Sequence, residues 1–142
     1  MISTSRERGY ATRAHTADTI LQVWAPSREA CLEEAARGFV ASFADTDRAT
    51  PGAPVEVPLR GESTELLHGL LEEIIYQLDT TDVVPAKVSV RPVDDGVVAV
   101  LRLVPAAEAE PVGAAPKAIA YSGLACERQD TGQWRCQVTI DV

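Results

Sequence analysis

An imidazole and a carboxylate stand close together in His15-Thr16-Ala17-Asp18, just before the first apolar run, Ile20 to Ala25. A second carboxylate, Asp141, sits near the end of another run, Trp134 to Val142, in which apolar and polar residues alternate. Hard cations such as calcium take several oxygen ligands at once. If the two runs are strands that meet in one sheet, Asp18 and Asp141 share a hard-cation site although they come from opposite ends of the sequence. His15 would line that site; a histidine in such a place more often serves as a hydrogen-bonded structural residue. Asp18 also has a plainer role open to it, capping a turn before the strand. For Asp141 the plainer role is a solvated charge at a fraying end.

The elements that must position these groups follow from periodicity. Thr19 to Ala25 reads as a strand with both faces partly covered, and Pro26 ends it. Ser27 is a fair N-cap for a helix from Arg28 to about Phe43, where Cys31, Ala35 and Phe39, with Leu32, Ala36, Val40 and Phe43, recur at helical spacing. Glu29, Glu33 and Glu34 load its first half with charge that suits the helix dipole. After a turn-rich stretch, Val55, Val57 and Leu59 alternate with Glu56, Pro58 and Arg60 in a short strand, where Pro58 argues for an edge position or an outward-facing amide. A second helix begins at Ser63 and ends near Asp79-Thr80-Thr81-Asp82. Its apolar stripe runs through Leu66, Leu67, Leu70, Leu71, Ile74, Ile75 and Leu78, and its polar face carries Glu65, His68, Glu72, Glu73 and Gln77. Gly69 inside it costs about 1 kcal/mol against alanine, which suggests a close backbone approach.

Two hairpins follow. Val83 to Pro92 and Val97 to Pro105 flank Asp94-Asp95-Gly96, a strong turn signal. Lys117 to Glu127 and Gln133 to Val142 flank Gln129-Asp130-Thr131-Gly132, with Ala106 to Pro116 as an exposed loop between the hairpins. In the last strand Trp134, Cys136, Val138, Ile140 and Val142 face the core, so Asp141 faces away from it. The order β-α-β-α-β-β-β-β predicts an α+β fold, with two helices packed on one face of a largely antiparallel or mixed sheet, in a single domain over residues 1–142.

Totals restrict the function. With 142 residues, 46% hydrophobic and 24% charged, the chain is a globular one with room for a core. Its apolar stretches are too short to span a bilayer and its polar N-terminus lacks a signal peptide's apolar segment, so a cytoplasmic protein is the default expectation. A net charge of −8 argues against unaided nucleic-acid binding, which draws its affinity from neutralised phosphates. It suits cations or a basic protein partner. Cys31, Cys126 and Cys136 make an odd count without CxxC spacing; buried free thiols are the expectation, with Cys126 and Cys136 able to face one another across a hairpin.

Four segments, in order, resemble the archease family over nearly the whole chain. His15-Thr16-Ala17-Asp18 matches its HTAD element. The stretch from Leu70 to Thr80 resembles its WLNELLY-x-x-DT helix, Lys117-Ala118-Ile119-Ala120-Tyr121 its KAVTYH, and Trp134 to Val142 its closing GW-x-x-x-VIFDI/V strand. The resemblance implies a non-enzymatic protein cofactor of the RNA-splicing ligase that seals tRNA halves with manganese and GTP. It would promote that ligase's guanylylation and multiple turnover. It also implies a divalent metal, calcium being the usual assignment, held by Asp18, Asp141 and the last residue, Val142, through its terminal carboxylate. Lys117 would make a functional contact with the ligase or its nucleotide-bearing centre. Glu73 and Asp79 would face the partner, against the plainer reading of an ordinary polar helix face.

The chain departs from the family pattern at Leu70 for Trp, Glu72 for Asn, Ser122 for His, Gln133 for Gly and Ile140 for an aromatic. These changes spare the proposed ligands but put in doubt the partner-contact surface that the resemblance implies. Two competing readings are a metal-dependent phosphoester hydrolase acting through Asp18, Asp141 and His15, and a general chaperone-like accessory of RNA modification. The first lacks a nucleophile with a placed base and a phosphate-cradling glycine loop.

Overall fold

The computed structural model describes residues 7–15 and 18–142, with residues 14 and 15 described by their backbone alone. Helix α1 (Arg28–Ala41) starts where Ser27, in extended conformation, accepts a 3.1 Å hydrogen bond from the Ala30 amide through its Oγ. Helix α2 (Ser63–Thr81) starts where Glu65 reaches back to accept the Glu62 amide at 3.0 Å. It ends at Asp82, in the left-handed region at φ 55°, whose amide closes onto Gln77 and Leu78. Both helices begin where the sequence reading placed them, α1 behind the Ser27 cap and α2 at Ser63.

All strand pairs are antiparallel. A four-stranded sheet has the order β1 (Gly9–His15), β2 (Asp18–Ala25), β9 (Trp134–Asp141), β8 (Ala118–Arg128). A three-stranded sheet has the order β4 (Pro54–Arg60), β6 (Gly96–Pro105), β5 (Val83–Val93). Between them in sequence, β3 (Ala44–Asp45) pairs with β7 (Glu110–Pro111), and a 3-10 turn spans Ala106–Glu108. Pro58 lies on the edge strand β4, as its missing amide requires.

The α+β class and the antiparallel pairing hold, but the layering differs from a single sheet with helices on one face. Both helices touch both main sheets: α1 packs on β1, β2 and β9 and also on β5, while α2 packs on β8 and also on β4, β5 and β6. The helices form a middle layer between two sheets. This explains the width of the apolar stripe on α2. Leu66, Leu67, Leu70, Leu71, Ile74 and Ile75 are all buried, at adjacent positions i and i+1 that a single contact face would not need. Each buried side chain of this size contributes roughly 1.5–3 kcal/mol. The same doubling occurs on α1, with Cys31–Leu32, Ala35–Ala36 and Phe39–Val40. The outer face of each sheet is left to solvent.

Strand β1 was absent from the expected element order. It is held by packing more than by pattern. Gly38 of α1 faces the Tyr10 ring and Leu21 so closely that a Cβ would stand 2.7 Å from Tyr10 Cγ and 2.8 Å from Leu21 Cδ1. Just before β1, Arg8 donates to Glu34 at 2.7 Å and to Glu33 at 3.0 Å. Burial works against the Arg8 charge, yet its hydrogen bonds to Glu33 and Glu34 win and raise its pKa. Glu34 is a buried carboxylate and needs such a partner. Glu33 also accepts the Val90 amide of β5 at 2.8 Å, tying the second sheet to the same helix.

The three cysteines are free and buried, and Cys126 lies opposite Cys136 across the β8–β9 hairpin. Cys136 Sγ stands 3.1 Å from Cys126 Sγ and 3.2 Å from Cys31 Sγ. Hydrogen bonding to those neighbours and burial push the Cys136 thiol far up, so it stays protonated.

The two helical glycines predict opposite outcomes. At Gly69 a Cβ meets only the flexible Leu59 Cδ2, at 3.2 Å. Gly69→Ala should therefore keep up to about 1 kcal/mol of helix propensity. Gly38→Ala should lose about 1–3 kcal/mol to overpacking against Tyr10 and Leu21, enough to cancel that gain. Urea unfolding of the two variants checks this; a Gly38→Ala protein as stable as Gly69→Ala would contradict the close packing of β1 and β2 on α1.

Candidate metal centre

Strand pairing decides which side chains meet. In β2 the buried residues are Leu21, Val23 and Ala25, so Asp18, Ile20, Gln22 and Trp24 point to the outer face. In β9 the buried residues are Cys136, Val138 and Ile140, so Arg135, Gln137, Thr139 and Asp141 point outward. The register pairs Leu21 with Val138 and, one step beyond Ile140, Asp18 directly with Asp141. The two carboxylates are therefore cross-strand neighbours on the same solvent-facing side, with Cβ atoms roughly 4.5–5.5 Å apart by the geometry of such pairs. Both residues are partly buried.

The row extends across the whole sheet. The His15 backbone pairs with Asp18 on one side, and Ala118 pairs with Asp141 on the other. The Lys117 amide donates to the Asp141 carbonyl at 2.8 Å, and the Lys117 side chain is exposed. Val142 packs against the core and Ile140 is fully buried, so the end of β9 is held in place. Thr16, Ala17 and the side chain of His15 lie outside the described residues, as does Arg6.

Like charges directly opposite one another destabilise a sheet. Among the described residues neither Asp18 nor Asp141 has an ion-pair or side-chain hydrogen-bond partner. A divalent cation would relieve this repulsion, and two carboxylates are the donors that calcium or magnesium takes. They are not a complete set. Among the described residues no group of three or more His, Cys, Asp or Glu side chains is placed to hold a metal ion. Further ligands would be other oxygens, such as a main-chain oxygen of Val142, or water.

Glu73 and Asp79 belong to a different surface. Both lie on α2, Glu73 half-buried and Asp79 exposed, and α2 packs on the inner side of the sheet whose outer side carries Asp18 and Asp141. Glu73 accepts from Gln77 at 2.9 Å, and Asp79 is exposed in the last turn. On that same surface the structure adds a contact that spacing did not reveal. The Tyr121 ring stacks on His68 with centroids 4.4 Å apart and planes 19° from parallel. No helix among the described residues is long and apolar enough to cross a membrane.

Fold and site together define a class: an α+β sandwich of antiparallel sheets around two helices, with a solvent-facing carboxylate pair at the end of one sheet. The description of the Archease protein family (MTH1598/TM1083) matches residues 10–142. A relative from Mycobacterium tuberculosis, named a probable protein archease, is 38% identical over 138 residues, covering 94% of this chain and 75% of its own length. Protein archease of Methanopyrus kandleri is 31% identical over 134 residues, covering 90% of this chain and 95% of its own. Among solved structures, protein 1598 of Methanobacterium thermoautotrophicum superposes with a TM-score of 0.73 at 20% identity, covering 94% of this chain and 99% of that one. The Thermotoga maritima protein described as an archease, possible chaperone, gives 0.65 at 19%, covering 92% of this chain and 94% of its own. This chain belongs to the archease family.

Charge repulsion at the pair has a measurable consequence. In chelator and low salt, Asp141→Asn should stabilise the fold by roughly 0.2–1 kcal/mol, because a neutral amide now faces Asp18. Thermal unfolding checks this; an unchanged or lowered midpoint would mean the carboxylates do not feel one another.

Proposed function

We propose that this chain is a metal-binding protein cofactor that activates the RNA-splicing ligase of tRNA splicing or RNA repair, promoting its guanylylation and multiple turnover. The observation that carries this reading is the cross-strand placement of Asp18 opposite Asp141, in a chain that belongs to the archease family. Two aspartates from the ends of the sequence, unpaired and side by side on an outer sheet face, fit a ligand set better than they fit a structural ion pair. The proposed metal is divalent, calcium by preference for oxygen donors.

Each residue has a task in this reading. Asp18 and Asp141 hold the cation through their carboxylates, and Val142 adds a main-chain oxygen. The packing of Val142 and Ile140 keeps the second carboxylate from moving away from the first. Lys117 presents an exposed ammonium from a residue tied to Asp141 through the backbone. His15 lines the same end of the sheet by its register opposite Asp18. Bound there, the cation would supply positive charge that anionic oxygens of the ligase centre could use. The acidic balance of −8 favours a basic, RNA-handling protein as partner and disfavours direct RNA binding.

The test uses the purified ligase with manganese and GTP. Added protein should raise guanylylation and allow repeated turnover. Asp18→Ala, folded by circular dichroism, should lose about tenfold or more of that stimulation, since even residues that only orient a metal ligand cost that much when removed. Full stimulation by Asp18→Ala would contradict the role given to the pair. Phosphoester hydrolysis by this protein alone would favour the hydrolase reading.

A further inference from the structure

The middle layer opens to solvent along two seams, and they are finished differently. Along α1, between the edge strands β1 and β5, a groove of about 680 Å³ contains both signs of charge. There Glu34 is paired with Arg8 and Arg37, and Glu33 with Arg8 and the Val90 amide. Along α2, between the edge strands β8 and β4, no acidic side chain of the helix is paired with arginine or lysine among the described residues. From Glu62 to Asp82 the chain has six acidic residues and no lysine or arginine. Among the described residues, Glu72 has His68 Nε2 3.6 Å away, and Asp79 and Asp82 have no ion-pair partner.

The same seam exposes aromatic surface. Tyr121 is 76% exposed and Tyr76 60%, the two most exposed large hydrophobic side chains among the described residues. Tyr121 gets there because β8 leaves its register with β9 between Ala120 and Ala125, where Gly123 takes φ +76°. A bulge of this kind re-aims a side chain, and here it lays the Tyr121 ring over His68. His68, Glu72 and Tyr76 follow at one-turn intervals on one helix face, so rings alternate with a carboxylate.

We propose that this face of α2, with Tyr121, is a docking surface for an arginine-bearing segment of a basic protein partner. A guanidinium is the group that uses both features at once. It stacks on aromatic faces and pairs with carboxylate in a planar fork, which an ammonium does not do. Phosphate-bearing partners are disfavoured: with six carboxylates and no lysine or arginine between Glu62 and Asp82, nucleic acid and anionic lipid are repelled. The nearest basic residue on β4, Arg60, is already beside Asp95 at 3.5 Å. The docking face is separate from the Asp18–Asp141 pair, which lies on the far side of the four-stranded sheet from α2. The inference deepens the reading of this chain as a cofactor of a basic protein by naming where that protein is gripped.

The experiment follows amide shifts of the full chain titrated with a hexa-arginine peptide and, separately, hexa-lysine at low salt. Shifts should centre on residues 65–80 and 119–124, and arginine should bind about threefold to tenfold more tightly. Tyr121→Ala, at an exposed position, should remove that preference and leave the fold intact. Equal affinities for the two peptides, or shifts centred on Asp18 and Asp141, would overturn the proposal. A second arm measures binding to the purified ligase. Loss of binding by Tyr121→Ala with Glu72→Lys supports the docking face, and unchanged binding overturns it. If the wild type ignores the ligase while arginine still maps to α2, the ligase reading fails and the docking face stands.

Discussion

Antiparallel pairing of β2 with β9 is the constraint on which the rest depends. Side chains alternate along a strand, so a slip of one residue exchanges inner and outer faces. Here such a slip would turn Leu21, Val23 and Ala25, or Cys136, Val138 and Ile140, out of a fully formed core. It would also drive an aspartate inward. The apolar residues thus fix the register, and the register brings Asp18 and Asp141 together. No local turn or loop is needed to make the pair. Its precision comes from the hydrophobic packing behind it, while its charge is turned toward water.

The two-sheet sandwich spreads different chemistry over separate surfaces. The outer face of the four-stranded sheet carries the carboxylate pair. The α1 seam is closed by Arg8, whose two carboxylate partners join the start of β1 to the helix and, through the Val90 amide, to the second sheet. On the other side, α2 keeps its acids without an arginine or lysine of its own, and Tyr76 and Tyr121 stand in solvent. An arrangement of that sort does little for the isolated fold. Asp79 and Asp82 even stand at the negative end of the helix dipole, where acidic groups are unfavourable. Such local costs are commonly tolerated where a surface meets something else.

Much of this was legible in the sequence because periodicity reports burial directly. Both helices, the edge position of Pro58, the Asp-Asp-Gly hairpin and the outward direction of Asp141 follow from pattern and turn chemistry. The second sheet was harder to see. Adjacent buried leucines on α2 say that two sides of a helix are covered, but not by what. Strand β1 escaped because Gly-Tyr-Ala-Thr-Arg-Ala-His has little apolar alternation; it is an edge strand held by one partner and by the notch at Gly38. The meeting of Asp18 with Asp141 was a conjecture from strand ends, since register between distant segments is set by the core and not by spacing. Tyr121 over His68 could not be read at all, because it depends on a bulge in β8.

The most direct test of the central claim is calorimetric titration of the metal-free protein with calcium. Wild type should bind with a stoichiometry of about one ion per chain, and Asp18→Asn and Asp141→Asn should each weaken that binding strongly, both carboxylates being ligands of one ion. Calcium binding of equal strength in both variants, or none in the wild type, would contradict the account.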